Sequence, residues 1–196
     1  MFTGIVAHKG LIVDVEDQSG IRRLIVEAGA LADLRIGDSI AVNGVCLTAV
    51  AVHDTTIEVE VVQETLARSS LGAVQSGDRV NLERPMSAQG RFDGHIVQGH
   101  VDGVGTVSEV VAEGENRRLT IDLPFGLARF VVEKGSITVD GVSLTVSGVG
   151  PDSFDVALIP HTLEVTTLGL RGEGDQVNLE VDIIAKYVER LLEAGS

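Results

Sequence analysis

Short runs of β-branched and aliphatic residues, separated by polar turn residues, cover most of the chain. Such runs, bounded by Gly, Asn, Asp or Ser, are typical of β-strands. In the first half they predict about six strands, at residues 2–16 (continuous, or broken near Lys9-Gly10), 21–27, 39–42, 46–52, 56–62 and 79–83. Two shorter segments, 28–34 and 65–71, fit a helical turn and a helical or irregular stretch. Short strands at this spacing predict a small closed β-barrel.

The same pattern occurs twice. SIAVNGVCLT at 39–48 returns as SITVDGVSLT at 136–145, displaced by 97 positions and identical at seven of ten. GDRVNLE at 77–83 returns as GDQVNLE at 174–180, identical at six of seven. Asn43-Gly44 and Asp140-Gly141 occupy matching positions between two strands, which is a strong signal for a tight hairpin. A constant displacement over this length indicates one fold built twice.

We therefore predict an all-β protein of two tandem six-stranded β-barrels that arose by internal duplication, followed by a C-terminal α-helix. The predicted domains are an N-terminal barrel at 1–94, a C-terminal barrel at 95–182 and a helix at 183–196. The polar, glycine-containing segment 86–94 is the predicted linker.

The tail has no counterpart in the first repeat. From residue 183 to 193 its apolar side chains recur at helical spacing, with Asp182 as a plausible N-cap. A helix this short is marginal alone in water, so its apolar stripe must be covered by its own barrels or by another subunit. The stripe consists of Ile183, Ile184, Tyr187, Val188, Leu191 and Leu192.

Composition narrows the range of functions. The net charge of −14 and the 3% of aromatic residues argue against nucleic-acid binding, which needs neutralised phosphates and stacking platforms. We find no apolar stretch long enough for a membrane span and no secretory signal at MFTGIV. The single cysteine, Cys46, favours a reducing compartment. These features predict a soluble, cytoplasmic protein that binds neither nucleic acid nor membranes.

Few residues indicate a chemical function by themselves. His95 and His100 are five positions apart, and this spacing does not place two metal ligands on one face of a helix or of a strand. We therefore expect no metal site. No dinucleotide or P-loop fingerprint occurs in a usable context. Cys46 is replaced by Ser143 in the second copy, and each is followed by Leu-Thr, so both repeats present a polar group beside a threonine on one strand face. The alternative is that these are ordinary strand residues.

Together, several motifs resemble riboflavin synthase of the alpha-chain type from end to end. They are MFTGIV, VNGVCLTAV, ETL-LG, GHIVQGHVDGVG, DGVSLTV and IPHTLEVTTLG. The resemblance implies a transferase without a cofactor, in which two molecules of 6,7-dimethyl-8-ribityllumazine exchange a four-carbon unit. The products are riboflavin and 5-amino-6-ribitylamino-uracil. It also implies a homotrimer, pairing of unlike barrels from neighbouring subunits, and lumazine synthase as a further candidate partner.

The resemblance implies six candidate catalytic residues: Phe2, Thr3, Cys46, His100, Asp140 and Ser143. The substrate-binding residues that it implies in the first repeat are Gly4, Ile5, Val6, Cys46, Leu47, Thr48, Glu60, Val61, Val62, Gln63, Glu64 and Thr65. Those implied in the second are Gly99, His100, Val101, Lys134, Ser143, Leu144, Thr145, Ala157, Leu158, Ile159, Pro160, His161 and Thr162.

Two other readings remain open at this stage. A non-catalytic lumazine- or flavin-binding protein, used for storage or as an optical antenna, shares the duplicated barrel. The survival of polar groups in both repeats argues against it. A nucleic-acid-binding barrel conflicts with the charge and the scarcity of aromatic residues.

Overall fold

The computed structural model describes residues 1–18, 20–31 and 34–194. Parts of three predictions lie outside these ranges: the turn at Ser19, the helical turn at Ala32 and Asp33, and the last two residues of the C-terminal segment. Within the described ranges, no helix is long and apolar enough to cross a membrane.

The first repeat forms a closed antiparallel barrel in the order β1-β2-β5-β4-β3-β6. Its strands are β1 (His8–Gln18), β2 (Ile21–Glu27), β3 (Ser39–Val42), β4 (Val45–His53), β5 (Thr56–Val62) and β6 (Arg79–Glu83). Helix α1 (Gln63–Arg68) follows β5, and 3-10 turns occur at Gly29–Leu31 and Ser70–Gly72. The prediction of six strands and a barrel is confirmed.

The second repeat closes in the same cyclic order, β7-β8-β11-β10-β9-β12. Its strands are β7 (Gly103–Glu113), β8 (Asn116–Asp122), β9 (Ser136–Val139), β10 (Val142–Val149), β11 (Ser153–Leu158) and β12 (Gln176–Val181). Helix α2 (Pro160–Val165) corresponds to α1, and 3-10 turns occur at Ala128–Phe130 and Thr167–Leu170. Even the irregularities are duplicated: the pairing shifts at Ala49/Ala51 and again at Val146/Gly148. Such bulges bend a strand and help a sheet to close.

Each barrel buries its own aliphatic core. Alternating positions of the strands point inward, so that Leu24, Val59 and Leu82 are fully buried in the first barrel and Leu119, Val156 and Leu179 in the second. The scarcity of aromatic residues is compatible with this packing, because a small barrel interior is filled by branched aliphatic side chains.

The two hairpin turns contact each other between the barrels. Asn43 and Asp140 adopt positive φ values of 45° and 47°, as the predicted tight turns require. A Cβ added to Gly44 would lie 2.7 Å from the Gly141 nitrogen, and one added to Gly141 would lie 2.8 Å from the Gly44 nitrogen. Glycine is therefore needed at both positions, both for its positive φ and for the close approach of the backbones.

The beginning of each repeat crosses to the other barrel. The prediction of a strand from Phe2 is wrong, because β1 starts at His8 and is not broken at Lys9-Gly10. Residue 2 instead forms a single bridge with Val97, from the junction between the repeats. Val6 packs in the core of the second barrel, whereas Val101 packs against the core of the first. The sequence period could not reveal this exchange, because the partners are distant along the chain.

Helix α3 (Ile183–Ala194) matches the predicted tail helix. Asp182 Oδ1 accepts a hydrogen bond from the Ile184 N–H (2.9 Å), which confirms the N-cap. Two ion pairs hold the helix on the second barrel: Lys186 with Asp102 (2.6 Å) and Glu189 with Arg129 (2.7 Å). Most of the predicted apolar stripe stays exposed, at Ile184, Tyr187, Val188, Leu191 and Leu192.

Candidate functional site

A pocket of about 160 Å³ opens beside β4 of the first barrel. Cys46 lines one wall, and the remaining walls come from α1 and from the segment that leads into the second barrel. Six predicted site residues lie together there: Cys46, Glu64, Thr65, Gly99, His100 and Val101. Val45, Arg68 and Ser69 complete the lining. Residues 54 positions apart in the chain are thus brought to one place by the crossing of the repeats.

The backbone fixes the approach of the two elements. The Cys46 N–H donates to the Gly99 carbonyl (2.9 Å), and a Cβ at Gly99 would lie 2.6 Å from the Cys46 Cβ. The thiol is only partly buried, and the His100 side chain is exposed at the pocket wall. Thiol, imidazole and hydroxyl groups that face solvent can donate and accept hydrogen bonds to a polar heterocycle.

The second barrel repeats the arrangement at Ser143. The Ser143 N–H donates to the Gly4 carbonyl (2.8 Å), and a Cβ at Gly4 would lie 2.6 Å from the Ser143 Cβ. Gly4 and Gly99 share a positive φ, of 77° and 78°. We call these two places, centred on Cys46 and on Ser143, the Cys46 half-site and the Ser143 half-site.

His95 makes the two half-sites unequal. Its Nδ1 lies 2.8 Å from the Ser143 hydroxyl, and its backbone N–H donates to the Thr3 carbonyl (3.2 Å). Its Nε2 is buried without a hydrogen-bond partner among the described residues. Burial lowers the pKa of His95, and the nearby Asp182 carboxylate opposes that shift. In the Cys46 half-site the imidazole is instead that of His100, which lines the pocket.

Other predicted residues are held inside the protein. The side chains of Leu47, Val61 and Leu158 belong to the barrel cores. Phe2 is fully buried in a small cluster with Ala41 and Val97, against which Cys46 packs.

Thr3 is bound by its N–H (2.8 Å) and its hydroxyl (2.9 Å) to Glu83 Oε1. The side chains of Phe2 and Thr3 therefore lie in the protein interior and do not line the pocket at Cys46.

Asp140 is likewise enclosed. Its Oδ1 accepts from the Asn178 N–H (2.9 Å) and its Oδ2 from the Arg171 guanidinium (2.6 Å). Burial raises the pKa of the Asp140 carboxyl, and the guanidinium opposes that shift. The carboxylate lies at the contact between the barrels, away from the pocket at Cys46.

Most of the other predicted positions lie at the surface of the barrels. Glu60 is paired with Arg23 (2.8 Å), and Glu64 with Arg68. Lys134 is exposed in a turn with φ 65°, where the first repeat has Gly37. Leu144 packs on the second core. The following are exposed or half-buried near the strand and helix ends: Ile5, Thr48, Val62, Gln63, Thr145, Ala157, Ile159, Pro160, His161 and Thr162.

Three functional candidates, Glu83, Glu180 and His95, were not predicted from the sequence. Glu83 and Glu180 end the duplicated GDRVNLE and GDQVNLE segments, and each carboxylate is the acceptor for a run of backbone N–H groups. Their signal was present in the repeat itself, as a charged residue kept at the end of a buried strand. His95 carried no such signal, because its contact with Ser143 depends on the crossing of the repeats.

Other surface features are distinct from the half-sites. A cleft of about 460 Å³ lies between the barrels, lined by both repeats and by Arg79 and Arg171, but by none of the predicted site residues. Among the residues that the structure describes, no group of three or more His, Cys, Asp or Glu side chains is placed to hold a metal ion.

Comparisons with known proteins agree with this architecture. The model of the lumazine binding domain matches twice, at residues 3–85 and 98–182, which correspond to the two barrels. The chain is 52% identical to riboflavin synthase of Mycobacterium bovis, over 100% of both chains. It is 45% identical to riboflavin synthase of Actinobacillus pleuropneumoniae, over 98% of this chain and 90% of the relative.

Solved structures show the same fold. A crystal structure of LumP complexed with riboflavin superposes with a TM-score of 0.87, at 24% identity, over 92% of this chain and 99% of LumP. The double match to the domain model and the full-length similarity lead to one conclusion. The chain belongs to the riboflavin synthase family, and each of its two barrels is a lumazine-binding domain.

Proposed function

We propose that this protein is a riboflavin synthase, a transferase that converts two molecules of 6,7-dimethyl-8-ribityllumazine to riboflavin and 5-amino-6-ribitylamino-uracil. Full-length similarity to riboflavin synthases at 40–52% identity supports this activity. The structural observation that carries it is the pair of half-sites, which share a backbone but differ in their side chains.

The reaction explains why a fold should be doubled in this way. A four-carbon unit must leave one lumazine and join another, so identical molecules have to be bound as donor and acceptor. Two related but unequal half-sites hold the same heterocycle in two chemical roles. Positioning two bound reactants removes much of the entropic cost of their encounter.

We assign the direct ligand contacts to polar side chains that are exposed or half-buried. In the Cys46 half-site these are Cys46, Thr65 and His100, and in the Ser143 half-site they are Ser143 and Thr162. Neutral hydrogen-bonding groups suit a neutral ring with a polyol tail. An imidazole or a hydroxyl group can carry out the proton transfer at the lumazine methyl group. We assign no direct ligand contact to the buried side chains of Phe2, Thr3 and Asp140.

We further propose that the chain works as a homotrimer in which the first barrel of one subunit faces the second barrel of a neighbour. The exposed apolar stripe on α3 supports a subunit contact, because five large hydrophobic side chains there are at least half exposed. The single cysteine supports a cytoplasmic location. Association with lumazine synthase stays a prediction.

The second candidate function is lumazine or flavin binding without catalysis. It is favoured by the shared fold with LumP, whose crystal structures contain ribityl lumazine, riboflavin or flavin mononucleotide. The 24% identity to LumP in that comparison is well below the identity to the synthases.

One incubation separates the two functions. Purified protein, treated with a chelator, is mixed with the ribityllumazine alone and the products are followed by chromatography. We expect riboflavin at half the molar amount of lumazine consumed, together with an equal amount of the uracil product. Binding without any riboflavin would establish the non-catalytic function. Turnover lost on chelation and restored by zinc or magnesium would overturn the cofactor-free reaction.

A further inference from the structure

Two carboxylates at the ends of equivalent strands each gather the backbone N–H groups of one turn. Glu180, at the end of β12, accepts from the N–H groups of Gln98 (2.7 Å), Gly99 (2.9 Å) and His100 (3.0 Å). Glu83, at the end of β6, accepts from the N–H groups of Thr3 (2.8 Å) and Gly4 (3.1 Å).

A carbonyl group of each turn accepts a hydrogen bond from the opposite barrel. The turn held by Glu180 gives its Gly99 carbonyl to Cys46 of the first barrel (2.9 Å). The turn held by Glu83 gives its Gly4 carbonyl to Ser143 of the second barrel (2.8 Å). Each carboxylate is therefore two hydrogen bonds away from a half-site that belongs to the other repeat.

Both carboxylates are buried, which carries a desolvation cost for a charged group. Glu83 is 9% exposed and Glu180 is 3% exposed. Burial raises the pKa of each, and the converging N–H groups oppose that shift. An aliphatic side chain would fill such a position without a desolvation cost. The turns, however, have glycine at positive φ, and two N–H groups of the first turn and three of the second need an acceptor, which a buried carboxylate provides.

We propose that Glu83 and Glu180 are positioning residues that act across the barrels: Glu180 of the second repeat sets the geometry of the Cys46 half-site, and Glu83 of the first repeat sets that of the Ser143 half-site. This inference rests on the proposed function for its catalytic meaning. Its structural content, the crossed dependence, does not need substrate.

Glutamine is the sharpest replacement. Glu180→Gln keeps the shape but leaves one acceptor oxygen and turns an NH2 group toward backbone N–H groups. The turn then loses its charge-assisted hydrogen bonds and withdraws from Cys46. Glu83→Gln is the matched control, because it makes the same chemical change at the equivalent position of the other repeat.

Cys46 is the only cysteine, so alkylation by iodoacetamide reports on the Cys46 half-site alone. We expect Glu180→Gln to change the rate constant of alkylation by on the order of tenfold, the ratio produced by a free-energy change of about 1.4 kcal/mol. Glu83→Gln should leave it within about twofold of wild type.

In a Cys46→Ala protein that also carries Ser143→Cys, the new thiol reports on the Ser143 half-site. There the order should reverse, with Glu83→Gln producing the large change. Equal changes from both variants, or no change from either, would overturn the proposal.

Glu180→Asp provides a second variant if the glutamine protein does not fold. It keeps the charge but withdraws the carboxylate by one methylene, and should move alkylation of Cys46 in the same direction by a smaller factor. Turnover is measured in parallel, and kcat should fall more than KM rises. A protein that makes no riboflavin but shows the crossed labelling refutes the proposed function only; uncrossed labelling in an active protein refutes the positioning role only.

Discussion

Asp140 and Arg171 form an ion pair at the contact between the barrels, with 2.6 Å between Oδ2 and Nη2, and the equivalent residues of the first repeat are Asn43 and Val74. Asn43 Oδ1 accepts from the Asn81 N–H (2.7 Å) just as Asp140 Oδ1 accepts from the Asn178 N–H (2.9 Å). The ion pair therefore has no counterpart in the first repeat, where neither equivalent residue is charged.

The first prediction concerns this pair. Asp140→Asn should lower the free energy of unfolding by roughly 2 kcal/mol or more, because it leaves the partly buried Arg171 without its counter-charge. The double variant Asp140→Asn with Arg171→Val copies the first repeat and should regain most of that loss. Urea denaturation measures stability, and riboflavin formation is assayed alongside. If the double variant were stable but inactive, Asp140 would have a direct role in the chemistry.

The second prediction concerns the two half-site centres. Cys46→Ala and Ser143→Ala should each lower kcat by on the order of 10- to 100-fold, because each removes a polar group from a different bound lumazine. Loss of the partly buried sulfur should cost only about 1 kcal/mol of stability. In the double variant the losses should combine non-additively if both groups serve one reaction. Two single variants with wild-type turnover would show that these positions serve barrel packing.

The third prediction is a pH dependence that arises from His95. Its folded pKa lies below the ordinary value of 6.5, so the unfolded chain takes up a proton more readily than the folded protein. The contribution of His95 to stability is therefore full above about pH 6.5 and falls as the pH drops below it. His95→Gln should reduce the difference in unfolding free energy between about pH 8 and about pH 5.5.

Wild type is the reference for this measurement. The raised pKa values of Glu83 and Glu180 contribute to the difference with the opposite sign, and they do so equally in wild type and in His95→Gln. An unchanged difference in His95→Gln would contradict the assignment.

The fourth prediction concerns the tail helix. Truncation after Asp182 should leave folded barrels of lower oligomeric mass, because the apolar stripe of α3 is lost. Leu191→Glu, at a position 74% exposed, should have the same effect without removing the ion pairs of Lys186 and Glu189. Glu193→Gln is the control on the same helix. Light scattering decides: an unchanged mass for both altered proteins would mean that α3 serves its own subunit.

Much of the fold was predictable because it is encoded locally. The turn residues Asn43-Gly44 and Asp140-Gly141 and the 97-residue period predicted the hairpins, the strand number and the duplication. The start of β1 was not predictable, because residues 2–6 carry strand-forming side chains whose partners lie almost a full repeat away. Local propensity alone does not distinguish a barrel strand from a segment that crosses to another domain.

The sequence predicted which residues belong to the candidate site better than it predicted where their side chains lie. The resemblance supplied Cys46, His100 and Ser143, and six predicted residues indeed line one pocket. The resemblance did not distinguish residues exposed at the site from buried residues behind it. Phe2 and Asp140, which are buried, were therefore predicted together with exposed residues. Burial depends on the contact between repeats, which no pattern within a single repeat records.

The crossing of the repeats has a consequence for the order of events during synthesis. A nascent chain that has left the ribosome as far as Glu83 contains all six strands of the first barrel, and domains generally fold as they emerge. At that moment the Cys46 N–H still lacks the Gly99 carbonyl, and the Gly4 carbonyl has no Ser143 to bind. A stalled or prematurely terminated chain can thus be a folded barrel without a finished half-site, and the capacity for catalysis arrives only after the second repeat has been translated.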